Sequence, residues 1–207
     1  MKIMTSAPNC LILASTSRYR RTMLERLAIP FTTESSEVDE TPHPGERPAE
    51  LSLRLAAEKA KAVADKFPGC TVIGADQVAT LGHEPIGKAG SFEAAFEQLK
   101  QLSGQVVQFH SALAVTDGNE TLINDVVTAC HFRELSDDEI KHYLTFDQPF
   151  DTAGSAKAES LGISLMESMR SDDPTAIIGL PLIELCRMLR HFGLNPTLTA
   201  STTNIIS

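Results

Sequence analysis

The stretch from Gln105 to Leu135, QVVQFHSALAVTDGNETLINDVVTACHFREL, constrains the fold more than any other part of this 207-residue chain. It reads as two long strands rich in β-formers, joined at Asp117-Gly118-Asn119, a hairpin signal. A hairpin forces two antiparallel neighbours into the sheet, so the fold cannot be a purely parallel α/β sheet. Helical patterns surround it. Pro48 opens a helix running to about Phe67, with Leu53, Ala56, Ala60, Val63 and Phe67 on one face and Arg54, Glu58, Lys61 and Asp65 on another. Ser91 to about Leu102 forms a second helix, stopped by Gly104, and Ser136 with Glu139 makes a capping box for a third reaching about Phe146. Pro181 starts a last helix that Gly193 stops. At the other end, Leu11 to Ala14 read as a short strand whose chain passes through Ser15 or Ser17, either able to cap a helix from about Arg20. The expectation is one α/β domain over 10–195, with a flexible segment 1–9 before it and a disordered tail, 196–207, after it.

Composition narrows the classes of function. The formal net charge of −9 opposes broad binding to nucleic acid or to an anionic membrane, since both need a basic surface. No apolar run is long enough to span a bilayer and MKIMTSAPN lacks a signal-peptide core, so a cytoplasmic protein is expected. Cys10, Cys70, Cys130 and Cys186 stand singly, without a C-x-x-C pair, and are expected to be reduced and mostly buried. An anionic small molecule remains compatible with all of this, because it needs only a local cluster of cations and N–H donors.

Such a cluster stands at the N-terminus of the first helix, where Ser15, Ser17, Arg18, Arg20 and Arg21 fall together. Basic residues oppose the macrodipole at that end, so the grouping favours an anion there, with a solvated basic turn as the plainer alternative. Asp76 interrupts the strand TVIGADQVATL, where an ionised carboxylate must be paired, hydrated or metal-bound. Alternation puts Gly74 on its face, which suggests room for a ligand; a structural aspartate is the competing reading. The carboxylates of EVDE, Glu37, Asp39 and Glu40, suit a hard cation or simply make a charged loop. Arg54 and Glu58 have the spacing of a surface ion pair, while Lys59 points off that stripe toward a cleft. GHEPIGKA imitates a phosphate-binding loop but puts Ala89 where the metal-binding hydroxyl belongs and Pro85 inside the loop, so it is not that motif.

Taken in order, LILASTSRYRRTML, SSEVDET, LRLAAEKAKAVA, VIGADQV, Gly87-Lys88, HFRELSDDEI, TAGSAKAESLGISL and IIGLPLIELCRML resemble the Maf family of nucleoside triphosphate pyrophosphatases from about Cys10 to Phe192. The resemblance implies a two-lobed Maf/Ham1-like α/β architecture, similar to inosine triphosphatases, with a mixed central sheet around a cleft, and a homodimer. It implies hydrolysis of the α–β phosphoanhydride of a nucleotide with a divalent cation, Mg²⁺ or Mn²⁺, as cofactor. Asp76 falls on the catalytic proton acceptor; Ser15, Arg20, Lys59 and Lys88 fall on phosphate-handling positions; Tyr19, Gln77 and Glu159 fall on positions that set base specificity. Asp39 and Asp76 are the expected metal ligands, with Glu40 behind them. Gln77 and Glu159 look like the branch acting on 7-methyl-GTP rather than the dTTP and UTP branch, where Thr and Gln are usual. The alternatives are dTTP or UTP pyrophosphatase activity, or a nucleotide-binding regulator of septum formation with little turnover. The chain departs from the family at Arg18 and Ala89, where Pro is usual, at Ser160, where Gly is usual, and at Tyr19, where a related branch carries Trp.

Overall fold

The computed structural model describes residues 10–199, so the expectations for 1–9 and 200–207 lie outside the described residues. In chain order the elements are β1 (Leu11–Leu13), α1 (Arg18–Glu25), β2 (Thr32–Thr33), α2 (Pro48–Ala64), β3 (Thr71–Leu81), β4 (Glu84–Ile86), α3 (Phe92–Leu102), β5 (Val106–Thr116), β6 (Thr121–Phe132), α4 (Asp137–Asp147), β7 (Met166–Arg170), α5 (Leu182–His191) and α6 (Pro196–Thr199). Short 3₁₀ turns cover Leu161–Leu165 and Ala176–Ile178. The chain expected to be a disordered tail from 196 thus begins with a helical turn anchored by buried Pro196. Short β2 and β4 were not expected from the sequence; both are pinned by pairing with a neighbouring strand.

The strands form one seven-stranded mixed sheet in the order β2-β1-β3-β5-β6-β7, with β4 added to the edge of β3. β2, β1 and β3 run parallel, and β3, β5, β6 and β7 alternate antiparallel. The expected hairpin is the β5–β6 pair, closed where Asp117 Oδ1 accepts the N–H groups of Asn119 and Glu120, both at 2.9 Å.

Strand alternation sorts the core. One face of β1, β3 and β5 sends Ile12, Ala14, Val72, Ala112 and Ala114 against Ala56, Ala60, Val63 and Ala64 of α2. These small residues let helix and sheet approach closely, and Gly74 marks the closest point: a Cβ there would overlap the Ala56 carbonyl and stand 2.7 Å from the Ala60 nitrogen. The space expected beside Gly74 for a ligand is therefore filled by the α2 backbone. On the opposite face the same strands carry two cores in series. Leu11, Leu13, Ile73, Ala75, Leu113 and Val115 pack with α1 and α5, while Ala79, Val107 and Phe109, joined by Cys130 and Phe132 of β6, pack with α3 and α4. Gln77 on β3 and Ser111 on β5 are paired residues at the boundary, so each lobe is one end of the same long strands.

The parallel register Leu11↔Thr71 puts the preceding residues side by side, and Cys10 and Cys70, with Cα atoms 4.7 Å apart, form a disulfide. This corrects the expectation of four reduced cysteines; Cys130 and Cys186 are free. Sixty residues separate the bonded pair, so nothing in local spacing announces it.

Candidate active site

Strand pairing leaves an opening where Asp76 stands. On one edge of β3, β1 pairs with Thr71–Ile73 and β4 with Ala79–Leu81, and neither covers the stretch between them. Asp76 and Gln77 lie in that stretch, on opposite faces, and both line a cleft of about 830 Å³. Ser15, Tyr19, Arg20, Glu40, Lys59, Lys88, Asp151 and Glu159 line it too. The structure thus brings the expected phosphate-handling and base-reading residues together around the expected catalytic aspartate. Asp39 is the exception: it does not line the cleft, it is exposed, and its carboxylate accepts the Thr41 N–H at 2.9 Å. Its neighbour Glu40, also largely exposed, lines the cleft and reaches Lys59, so of the three carboxylates expected near a cation Glu40 and Asp76 line the cleft and Asp39 does not.

Lys59 organises the carboxylates. Its Nζ lies 2.7 Å from Asp76 Oδ1 and 2.6 Å from Glu40 Oε1. Asp76 and Lys59 are buried, so this contact is far less screened than a surface pair. The hydrogen bond from Lys59 holds the Glu40 carboxyl below its ordinary pKa, with Lys88 and Arg20 adding to the effect. Arg54 pairs with Glu58 within α2 at 3.0 Å, while its ion pair with Glu46 at 2.7 Å and its hydrogen bond to the Thr41 carbonyl at 3.1 Å fix α2 to the loop that carries Glu40. Arg54 does not line the cleft, in keeping with its spacing in the sequence.

At the start of α1, Ser17 is the N-cap and its side chain accepts from the Arg20 nitrogen. The N–H groups of Arg18 and Tyr19, next inside the helix, have no acceptor among the described residues, the arrangement that favours an anion. Buried Ser15 accepts the Ser17 N–H at 3.2 Å, and Arg20 Nη1 reaches it at 3.5 Å. Arg20 Nε donates to the Gly179 carbonyl at 3.1 Å, which aims the guanidinium into the cleft. Burial pulls the Arg20 guanidinium below its ordinary pKa, while Asp76 and Glu40 oppose that pull. The three clustered arginines part company: Arg20 reaches Ser15, Arg18 lines the cleft over the Tyr19 ring, and Arg21 pairs outward with Glu25 at 3.2 Å. Lys88 is held from the far lobe by a bridge to Ala153 and by Gln98, which donates to the Gly87 carbonyl at 3.1 Å.

The other end of the cleft is aromatic and acidic. Tyr19 Oη is 3.5 Å from Asp151 Oδ2, and Glu159 is exposed beside it on the same lining. Asp151 gave no signal in the sequence beyond its place before a small-residue loop. Ser111, buried in β5 behind Gln77, carried no reading from the sequence.

The donor set bears on the expected cation. Among the described residues no group of three or more His, Cys, Asp or Glu side chains is placed to hold a metal ion. Glu40 and Asp76 are two carboxylates converging on one ammonium group. That set fits Mg²⁺ or Mn²⁺ arriving with substrate phosphates and water as its remaining ligands, rather than a cation in a cage made wholly of protein.

Comparison with known proteins places this geometry. A 7-methyl-GTP pyrophosphatase of Bordetella pertussis is 64% identical over 193 residues, 93% of this chain and 97% of that protein. One of Bordetella avium is 66% identical over 186 residues, covering 90% and 94%, and one of Burkholderia thailandensis is 54% identical over 188, covering 88% and 87%. Among solved structures, the Staphylococcus aureus Ham1 protein is similar with a TM-score of 0.46 and 18% identity, covering 74% of this chain and 90% of that one. The profile of the family described as Maf-like protein matches residues 10–192, which takes in every strand of the sheet and every side chain named at the cleft: the chain belongs to the Maf family.

Proposed function

We propose that this protein hydrolyses the α–β phosphoanhydride of 7-methyl-GTP, releasing 7-methyl-GMP and pyrophosphate. The observation that carries the reading is Asp76: a carboxylate at the uncovered edge of β3, held at 2.7 Å by Lys59, in one cleft with Arg20, Ser15 and Lys88. Cleaving an anhydride requires holding phosphates, offsetting their charge and orienting a water. Arg20 and Lys88 approach from the two lobes, and the free N–H groups of Arg18 and Tyr19 with the Ser15 hydroxyl supply neutral donors. Asp76 accepts the proton of the attacking water as its oxygen bonds to phosphorus, and pyrophosphate leaves with the electrons of the broken P–O bond. Lys59 keeps Asp76 and Glu40 oriented while the triphosphate enters. Glu40 and Asp76 would hold a divalent cation, whose part is to offset phosphate charge and polarise the scissile linkage.

Support for the base comes from the other end. Methylation at N7 makes guanine a cation, and Tyr19, Asp151 and Glu159 offer an aromatic face and two carboxylates. The names of the relatives, at 64% identity over 93% of the chain, agree with this choice. A nucleotide substrate and a divalent cation form one consistent reading; among the described residues no helix is long and apolar enough to cross a membrane.

The test is pyrophosphate release with Mg²⁺ or Mn²⁺ across 7-methyl-GTP, GTP, dTTP, UTP and CTP. Selective turnover of 7-methyl-GTP is expected. Turnover of dTTP or UTP instead would overturn the base assignment, and none at all would overturn the catalytic one.

A further inference from the structure

Gln77 stands at the boundary between the two lobes, and its amide is bound at one end only. Nε2 lies 2.9 Å from Ser111 Oγ and 3.1 Å from each of the Ala176 and Ile177 carbonyls. Carbonyls accept and cannot donate, so the NH₂ group must face them and the amide has a single orientation. Ser111 enforces it again. Its hydroxyl, fully buried, gives its one proton to the Ala176 carbonyl at 2.7 Å, leaving only lone pairs for Gln77. The Ala176 oxygen also takes the Gly179 N–H at 2.8 Å and has nothing to offer a second oxygen.

The other end of the amide is open. Gln77 Oε1 accepts no hydrogen bond among the described residues. It lies 3.7 Å from where a side chain at Gly179 would begin, and that same point is 3.7 Å from Arg20 Nε. Gly179 has φ +99°, a conformation that suits glycine, and with no Cβ it leaves the oxygen uncovered.

We propose that Ser111 is a positioning residue for nucleobase selection. With the 3₁₀ turn at Ala176–Ile178 it locks Gln77 so that the cleft presents a fixed carbonyl acceptor, which selects a base with an N–H donor at that place. A freely rotating amide would offer a donor as readily and lose that polarity. The selection half of this proposal rests on the pyrophosphatase reading of the site; the locking half does not.

Two variants separate the hydroxyl from the volume: Ser111→Thr keeps it, and Ser111→Val replaces it with a methyl group in nearly the same shape. The Gln77 side-chain amide, assigned by its absence in Gln77→Glu, is followed by ¹⁵N NMR in the full-length protein. It is expected to be shifted and protected from exchange in wild type and Ser111→Thr, and to move toward free-amide values in Ser111→Val. In parallel, the ratio of kcat/KM for 7-methyl-GTP over CTP, whose ring N3 carries no hydrogen and accepts, should fall about five- to tenfold in Ser111→Val, the worth of one neutral hydrogen bond. The kcat for 7-methyl-GTP should stay within about threefold and Ser111→Thr should restore the ratio. An amide signal unaffected by valine, or an equal loss on both nucleotides, would overturn the proposal. A locked amide released by valine in a protein that hydrolyses neither nucleotide would leave the lock standing and overturn the selection, together with the pyrophosphatase reading.

Discussion

Gly74→Ala tests the link between packing and site. A Cβ at this position would overlap the Ala56 carbonyl and stand 2.7 Å from the Ala60 nitrogen and 2.9 Å from Ala60 Cβ. Carbon contacts settle near 3.5–4.0 Å, so α2 must retreat by roughly 1 Å. The obstructing atoms are mainly helix backbone, which cannot rotate aside as a side-chain tip can. Overpacking of this kind costs about 1–3 kcal/mol, and the loosened contacts are those of Ala56, Ala60 and Val63 with the sheet. Lys59 lies between Ala56 and Ala60 in sequence and travels with them. Its 2.7 Å contact with Asp76 then opens past hydrogen-bonding distance, and a misplacement of about 1 Å in a catalytic constellation can cost on the order of 10²-fold in rate. The assay is the urea unfolding midpoint together with kcat/KM for pyrophosphate release. Gly87→Ala, where a Cβ meets nothing within 4 Å, is the stability control and is expected to shift the midpoint little. A Gly74→Ala protein of wild-type stability would refute the close-approach argument. Lower stability with unchanged turnover would refute the coupling of α2 to Asp76.

Asp76→Asn should cut turnover by about 10²–10⁴-fold with nucleotide binding largely kept, read by single-turnover kinetics beside calorimetry; equal activity would remove Asp76 from the mechanism. Glu159→Gln should reduce the preference for 7-methyl-GTP over GTP, and an unchanged ratio would remove Glu159 from base reading. The Cys10–Cys70 bond closes a 60-residue separation, for which the chain-entropy relation gives about 4 kcal/mol; a reductant or Cys10→Ser should lower the melting temperature, and alkylation of the unfolded, unreduced protein should label only Cys130 and Cys186. Acid should weaken the loop that carries Glu40. The hydrogen bond from Arg54 lowers the Glu46 pKa to about 2 from 4.5, so the stability it contributes is present above pH 4.5 and is lost as the pH falls through 2. The difference in urea midpoint between wild type and Glu46→Gln should accordingly shrink from pH 7 to pH 3, and a constant difference would refute that origin.

Residues with local chemical reasons for their placement were legible in the sequence. The β5–β6 hairpin announces itself at Asp117-Gly118, the Ser136–Glu139 capping box opens α4, and Pro48 opens α2, because turns, caps and helix starts are contests among a few neighbouring atoms. Asp76 was legible for a related reason, as a charge in a strand. What escaped depends on contacts distant in the chain. β2 is two residues long and exists through its parallel pairing with β1, and the disulfide follows from the register of β1 against β3. The choice between Asp39 and Glu40 turns on which side chain faces Lys59, a fact set by how the loop lies on α2. Arg21 was indistinguishable from Arg20 until the helix phase put it over Glu25.

The position of the cleft follows from strand length. β3 and β5 each run for 11 residues, longer than one compact core covers, and their shared face divides into two apolar stretches. Where the stretches part, Gln77 and Ser111 stand opposite one another, and neither core can bury an amide or a hydroxyl without a partner. The turn at Ala176–Ile178 supplies those partners, and Gly179 directly after it supplies the carbonyl that aims Arg20. One short segment thus satisfies the polar boundary between the lobes and orients a cation at the phosphate end. Separation of the lobes and assembly of the site are therefore consequences of the same interruption in the hydrophobic pattern. Apolar replacement of both Gln77 and Ser111 should join the two cores at that face and stabilise the fold while closing the site. A double variant, Gln77→Leu with Ser111→Ala, should melt at or above the wild-type temperature and lose nucleotide binding; a marked fall in melting temperature would show that the polar boundary is needed to hold the lobes together.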